Sequence, residues 1–330
     1  MDYRKSEAKE ASFAQFSGAW AAITTPFTAE GDLDEAGLRA NMRHLTDSLH
    51  IDGVFCTGIM GEFWSLTKKE RLRSVEVVVE EARGKCKVIA HTAHHSARET
   101  IELTRHAQEV GADFAIFINP YYPAVPDDRM IYRWFEDVCS QVEIGVWMFD
   151  TGFSGYGLSA EVTASVAKIE NVCGIKIVRD HEHYLAVKRL TGGSIVLSDP
   201  NENVWMARMR DDGQQVFMSS PQPYCYQTAT WQPLREYTRL GLGGDFEAAA
   251  RVSAELDPLR PVYDKWMERP WREGRVIPIA YLKAWTELLG LASGPVRAPL
   301  LPLAEEVREE MRSDLERVGL LNKLAATVGR

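Results

Sequence analysis

From Gly18 onward, short apolar or β-branched runs alternate with longer amphipathic ones, and this repeat limits the folds open to the chain more than any single motif does. The short runs are 19–25 (AWAAITT), 53–58 (GVFCTG), 87–93 (KVIAHTA), 114–119 (FAIFIN), 144–149 (IGVWMF), 172–178 (VCGIKIV), 194–199 (SIVLSD) and 214–220 (QQVFMSS). None alternates cleanly between apolar and polar residues, so each reads as a strand buried on both faces, as a parallel sheet requires. The segments between them, such as TKKERLRSVEVVVEEA and SARETIELTRHAQEVG, open on Thr, Ser or Asp, and several end near Gly, as helices do. Eight strand–helix units close a (β/α)8 TIM barrel, and the lack of a GxGxxG turn after the first strand favours that over a doubly wound sheet. The expected class is therefore α/β, with residues 1–17 a loose lead-in, 18–226 the barrel and 227–330 a helical extension packed on the barrel or on a neighbouring subunit.

With 45% hydrophobic and 26% charged residues, the chain has ample material for one large core. Its formal net charge of -9, with Lys and Arg scattered, gives no phosphate-tracking face and argues against a nucleic-acid partner. The five cysteines are odd in number and have no CxxC spacing, so neither a disulfide framework nor a zinc knuckle is expected. The charged N-terminus and the absence of a long apolar run argue against a membrane span. A cytoplasmic location is the expectation.

In a TIM barrel, reactive side chains gather at the C-terminal ends of strands and in the loops that follow. This rule nominates Thr24, Thr25, Thr57, Gly58, Glu62, His91, His94, Asn119, Tyr121, Tyr122, Asp150, Lys176, Asp199, Ser219 and Ser220. Lys176 stands apart because it interrupts an otherwise apolar strand, where a lysine must be neutralised, paired or reactive. Burial lowers a lysine pKa, and the free amine attacks a carbonyl to form an imine. The alternative is a lysine snorkelling from the barrel end. Gly58 and Gly61 would let backbone N–H groups approach a carboxylate, in a turn that also sets Thr67 as a helix N-cap. Tyr121 and Tyr122 are either proton-relay phenols or packing rings. His91, His94, His95, His181 and His183 lack an acidic partner at metal-ligand spacing, so no metal is expected.

Four features then occur in order: Gly58-Ile59-Met60-Gly61-Glu62, Pro120-Tyr121-Tyr122, Gly174-Ile175-Lys176, and IPIAYLKAWTELLGL near the end. Together they resemble the dihydrodipicolinate synthase / N-acetylneuraminate lyase family, over about Gly18 to Leu321. The resemblance implies a (β/α)8 barrel with a C-terminal helical segment, a homo-oligomer (dimer or tetramer), and a lysine that condenses with pyruvate or a related 2-oxo acid without metal or organic cofactor. The family's usual Gly-Thr-Thr-Gly-Glu loop binds the carboxylate and supplies a relay hydroxyl; here its two threonine positions are Ile59 and Met60. The family's tyrosine acid/base ends the strand that here reads Met148-Phe149-Asp150, so Phe149 takes its place, or Met148 if the register shifts by one. The usual relay is missing, and Asp150, His91, His94, Tyr121 and Tyr122 are the candidates to replace it.

The first expectation is a lyase of the aldolase or hydratase-aldolase type, acting on a small-molecule 2-oxo acid and an aldehyde, with Lys176 as Schiff base and Tyr121, Tyr122 and Asp150 as acid/base candidates. Gly58, Ile59, Met60, Gly61, Phe149 and Ser219 would bind substrate. Trp64, Trp147 and the tyrosine pair suit an aromatic aldehyde, or serve the core. The second is a 2-keto-3-deoxy sugar acid dehydratase using the same imine, since GEFWSLT is similar to the GEFFSLT of the family's dehydratases; it needs a basic residue for a second carboxylate, and Arg179 is the candidate. The third is an inactive binding or regulatory homologue.

Overall fold

A computed structural model describes residues 2–121, 127–274 and 276–328, with side chains at all of these except 219 and 325–328. All eight runs form strands: β1 (Gly18–Ala22), β2 (Gly53–Cys56), β3 (Lys87–His91), β4 (Phe114–Ile118), β5 (Gly145–Asp150), β6 (Val172–Ile177), β7 (Val196–Ser198) and β8 (Val216–Ser220). They lie in one sheet in the order β7-β6-β5-β4-β3-β2-β1-β8, and the pairings from β2 to β7 are parallel. This is the nearly closed (β/α)8 barrel expected. Strands end two or three residues earlier than the apolar runs suggest at β1, β2 and β3, because Thr24–Thr25, Thr57–Gly58 and Thr92–Ala93 already belong to the loops.

The β7 and β8 edges meet through a side chain. Ser198 Oγ shares its one proton between the Val216 and Met218 carbonyls, at 3.0 and 3.1 Å, and accepts from Met218 N–H at 2.8 Å. One buried hydroxyl thus satisfies backbone groups that a ladder would otherwise pair.

The chain divides into two compact units, each discontinuous in sequence. The first comprises Met1–Trp20, Gly53–Cys56 and Lys87–Ser219. It holds α1 (Ala8–Gln15) and nearly all of the sheet, with α4 (Ala97–Val110), α5 (Asp128–Ser140), α6 (Ala160–Val166), α7 (His181–Thr191) and α8 (Glu202–Asp212) in the connections. The lead-in expected to be loose is instead packed: Phe16 stacks on Trp20 with ring centroids 4.2 Å apart, and Trp147 Nε1 donates to Ser12 Oγ. Ala8, Ser12 and Phe16, all fully buried, recur every four residues along one side, which gives the segment a face to bury.

The second unit comprises Ala21–Asp52, Thr57–Cys86 and Ser220–Arg330. It carries α2 (Glu35–Arg43), α3 (Lys68–Ala82) and the C-terminal helices, among them Ile279–Leu288 and Glu305–Arg317. Thr67 caps α3 through a reciprocal box with Glu70, as the sequence predicts. After β8 no further strand occurs among the described residues. No described helix is long and apolar enough to cross a membrane.

Candidate active site

Period-two alternation sends successive strand residues to opposite faces of the sheet, and parallel register brings equivalent positions side by side. In β5 and β6 the register pairs Phe149 with Lys176, and Lys176 in turn pairs with Ser198 on β7. Lys176 is 5% exposed. Its Nζ lies 4.7 Å from the centre of the Phe149 ring and 5.1 Å from that of Phe55 on β2. Phe55 also meets Phe149 edge-on at 6.0 Å and the His91 imidazole edge-on at 5.9 Å. Two strands of the first unit, β2 and β5, thus contribute the aromatic rings around one amine on β6, and His91 on β3 meets one of those rings.

Burial in this box lowers the Lys176 pKa to about 7, because taking the ammonium out of water penalises the charged form. The two ring faces attract a cation, yet that attraction does not offset the lost hydration. An appreciable fraction of the amine is then unprotonated near neutral pH, which is what nucleophilic attack on a carbonyl needs.

Asp150 is fully buried and its carboxylate is committed nearby: Oδ1 accepts from Leu158 N–H at 2.9 Å, and Oδ2 lies 3.1 Å from His183 Nε2 and 3.6 Å from Arg179 Nη1. The His183 contact is a close approach rather than an aligned hydrogen bond, since neither atom has a hydrogen-bond partner of good geometry. Asp199 likewise accepts from Arg208 Nε and from Asn201 N–H. Tyr121 sits near His95, with ring centroids 6.1 Å apart, and the His94 and His95 rings are 4.0 Å apart. Tyr122 and the side chain of Ser219 lie outside the described residues. Trp147, expected among the substrate-facing aromatics or in the core, is core: a Cβ on Gly174 would come within 2.1 Å of its ring, and its indole packs on Phe16. His181 pairs with Asp212, and among the described residues no group of three His, Cys, Asp or Glu is placed to hold a metal.

In the second unit, the loop Gly58–Glu62 is a tight turn. Gly61 and Phe63 N–H both donate to Gly58 O, and Glu62 N–H donates to Ile59 O. The N–H groups of Ile59 and Met60 take no part in these turn bonds. Gly61 packs so closely that a Cβ would lie 3.2 Å from Thr57 N, and its carbonyl accepts from Thr25 Oγ1. The positive φ values fall not on the glycines but on Thr57 (51°) and Glu62 (54°), which bracket the turn. For a β-branched threonine that conformation is strained, and strain of this kind collects at functional loops.

Glu62 is itself fully buried, 2.7 Å from Lys283 Nζ on the helix Ile279–Leu288. Lys283 also donates to Pro295 O and lies 4.0 Å above the Phe27 ring. Two of the four sequence motifs therefore meet in one buried ion pair. Sequence reasoning missed this role of Lys283, although a lysine inside IPIAYLKAWTELLGL carries the same signal that singled out Lys176. It also missed Phe55, which as an apolar residue in a buried strand carries no signal of its own.

The sequence profile of the Dihydrodipicolinate synthetase family matches residues 15–318. The chain belongs to that family. Among its sequence relatives, the 4-hydroxy-tetrahydrodipicolinate synthase of Methanopyrus kandleri is 29% identical over 316 residues, covering 93% of this chain and 98% of the relative. The corresponding enzyme of Methanothrix thermoacetophila is 29% identical over 308 residues, covering 92% and 97%. Among solved structures, dihydrodipicolinate synthase from Aquifex aeolicus has a TM-score of 0.80 at 26% identity, with 92% and 99% coverage. YagE, a prophage protein of the same family from E. coli K12 crystallised in complex with pyruvate, has a TM-score of 0.78 at 25% identity, with 92% and 99% coverage. These identities mark a divergent member of the family, in keeping with Ile59, Met60 and Phe149 at positions where the family pattern has hydroxyls.

Proposed function

We propose that this chain is an imine-forming carbon–carbon lyase that joins or releases a 2-oxo acid, pyruvate in the simplest case, and an aldehyde. One observation carries the reading: Lys176, buried at the end of β6, has its pKa lowered to about 7 inside a box of Phe55 and Phe149. The names of the relatives and the pyruvate complex of YagE support a pyruvate-type substrate.

In this account the Lys176 amine attacks C2 of the oxo acid, and loss of water gives an iminium. Phe55 and Phe149 then face a fixed cation and stabilise it where water is excluded. Loss of a proton from C3 yields an enamine, whose C3 adds to the aldehyde carbon; hydrolysis frees the 4-hydroxy-2-oxo acid and restores the amine. Tyr121 and Tyr122 stay as proposed acid/base candidates, and Ser219 as a proposed substrate contact.

The dehydratase reading needs a cation for a second carboxylate, and Arg179 was its candidate. Arg179 instead lies against Asp150 and against Gly157, where a Cβ would collide with its guanidinium. The lyase reading is preferred on that ground. The test is product analysis with the purified chain on a set of 4-hydroxy-2-oxo acids with aryl and alkyl substituents, beside 2-keto-3-deoxy sugar acids. Release of pyruvate and aldehyde that is lost in Lys176→Ala is expected; water loss from the sugar acids without aldehyde release would contradict the lyase reading.

A further inference from the structure

We infer that Phe16, on the segment ahead of β1, is a positioning residue for Lys176: it is the centre of an aromatic floor that closes the barrel interior beneath the amine and keeps water from it. The inference rests on the imine reading above and deepens it, by naming what holds the amine dry.

Phe55 on β2 and Phe149 on β5 both face the amine on β6, and β2 and β6 stand four places apart in the sheet, so side chains meeting across that span point into the barrel. Period-two alternation puts Gly53, Gly145, Trp147 and Gly174 on the same inner face. The register pairs Trp147 with Gly174, one layer below the pair of Phe149 and Lys176. Gly174 and Lys176 are two residues apart on one strand, a rise of about 7 Å.

The three glycines of this lower layer each receive a neighbour's ring. A Cβ would come within 2.3 Å of the Trp20 ring at Gly53, 2.8 Å of the Phe114 ring at Gly145 and 2.1 Å of the Trp147 ring at Gly174. Phe16 lies where the three rings converge, with its centroid 4.2 Å from Trp20, 4.8 Å from Phe114 and 4.2 Å from Trp147. All four side chains are fully buried. Polar contacts at the strand starts seat the segment. Tyr3 O–H donates to Asp113 O at 2.6 Å and accepts from Gly145 N–H at 3.0 Å, Lys5 and Lys9 Nζ donate to the Cys139 and Ala167 carbonyls, and Gln215 Nε2 donates to Phe16 O. Tyr3, Lys5 and Lys9 precede residues 15–318, the stretch that matches the family profile, so the family likeness does not account for this clasp.

The Lys176 amine is lowered in pKa by its removal from water. A gap in the layer beneath it would let water approach from the N-terminal end of the barrel, relieve that penalty and return the amine toward ordinary basicity. Phe16 therefore acts on the amine through Trp147 and Gly174, without touching substrate.

The full chain is incubated with pyruvate across a pH series and quenched rapidly with borohydride, and the initial rate of adduct formation is read by intact mass. Wild type is compared with Phe16→Leu, Phe16→Val, Phe16→Ala and the control Phe135→Ala. Phe135 is as deeply buried as Phe16, but it stands on α5 and stacks on Phe117, whose side chain alternates to the outer face of β4. The Phe16 variants should raise the pH midpoint in order of the volume removed, by about one pH unit in Phe16→Ala, which is about a fivefold loss of rate at pH 7 and none by about pH 9.5. Phe135→Ala should lower the melting temperature and keep the wild-type midpoint. Phe16→Leu and Phe16→Val carry the test should Phe16→Ala not fold. Wild-type midpoints in the Phe16 variants, or an equal rise in Phe135→Ala, would overturn the inference. Phe16 variants that keep the wild-type circular dichroism yet form no adduct at any pH would overturn it too, since Phe16 would then serve more than the surroundings of the amine. No adduct in wild type would sink the imine reading, and this inference with it.

Discussion

At Lys176, burial of one amine bears on the stability of the chain and on the chemistry proposed for it. With its pKa near 7, the amine is mostly protonated below that pH and mostly free above it, so the initial rate of imine formation with pyruvate should rise with pH through about 7 and then level off. A rapid-quench borohydride series across pH checks this; a rate that climbs steadily toward pH 10 would indicate an amine of ordinary basicity. The same shift has a stability consequence. The folded chain binds fewer protons at this site than the unfolded chain between about pH 7 and the ordinary value of 10.5. The cost of burying the ammonium is therefore fully present below about pH 7, on the order of a few kcal/mol, and fades as the pH rises toward 10.5. Lys176→Met should accordingly stabilise the chain by about 1–4 kcal/mol near pH 6, and by less near pH 10, in urea titrations.

At the scale of elements, two side chains hold backbone in place that the ladders and helices do not. In the second unit, Glu62 at a positive φ is fixed by Lys283, whose pKa is held below its usual range because burial outweighs the neighbouring carboxylate. Lys283→Met would leave the Glu62 charge buried and alone, a loss of about 3–5 kcal/mol, and Glu62→Leu combined with Lys283→Met should recover most of it. Equal stability of the single and double variants would mean that the pair does not hold the turn. In the first unit, Ser198→Ala would strip a hydroxyl from the Val216 and Met218 backbone at the β7–β8 seam, costing about 1–3 kcal/mol by denaturant titration. The strands themselves were legible because runs buried on both faces read as continuous apolar stretches. Their ends were less so, since Thr24 and Thr92 continue the pattern into loops. The seam was not legible at all: nothing local distinguishes Ser198 from a strand-end hydroxyl free for substrate.

Across the whole molecule, the barrel and a buried strand lysine could be read from the chain, while the surroundings of that lysine could not. A lysine in VCGIKIV conflicts with its neighbours, and such local conflict is visible in a linear sequence. Phe55 is not in conflict with anything; only the closure of the sheet sets it against Lys176, Phe149 and His91. Asp150 looked available by position, and its engagement with Leu158, Arg179 and His183 emerges only when later loops fold back on the strand end. The account that results is a family barrel that keeps the nucleophile and replaces the groups around it. Trapping tests it most directly: the chain is incubated with pyruvate, reduced with borohydride and weighed intact. A mass increase of about 72 Da that maps to Lys176 and disappears in Lys176→Ala is the predicted result. No increase with pyruvate or with any other 2-oxo acid, from a folded chain, would contradict it.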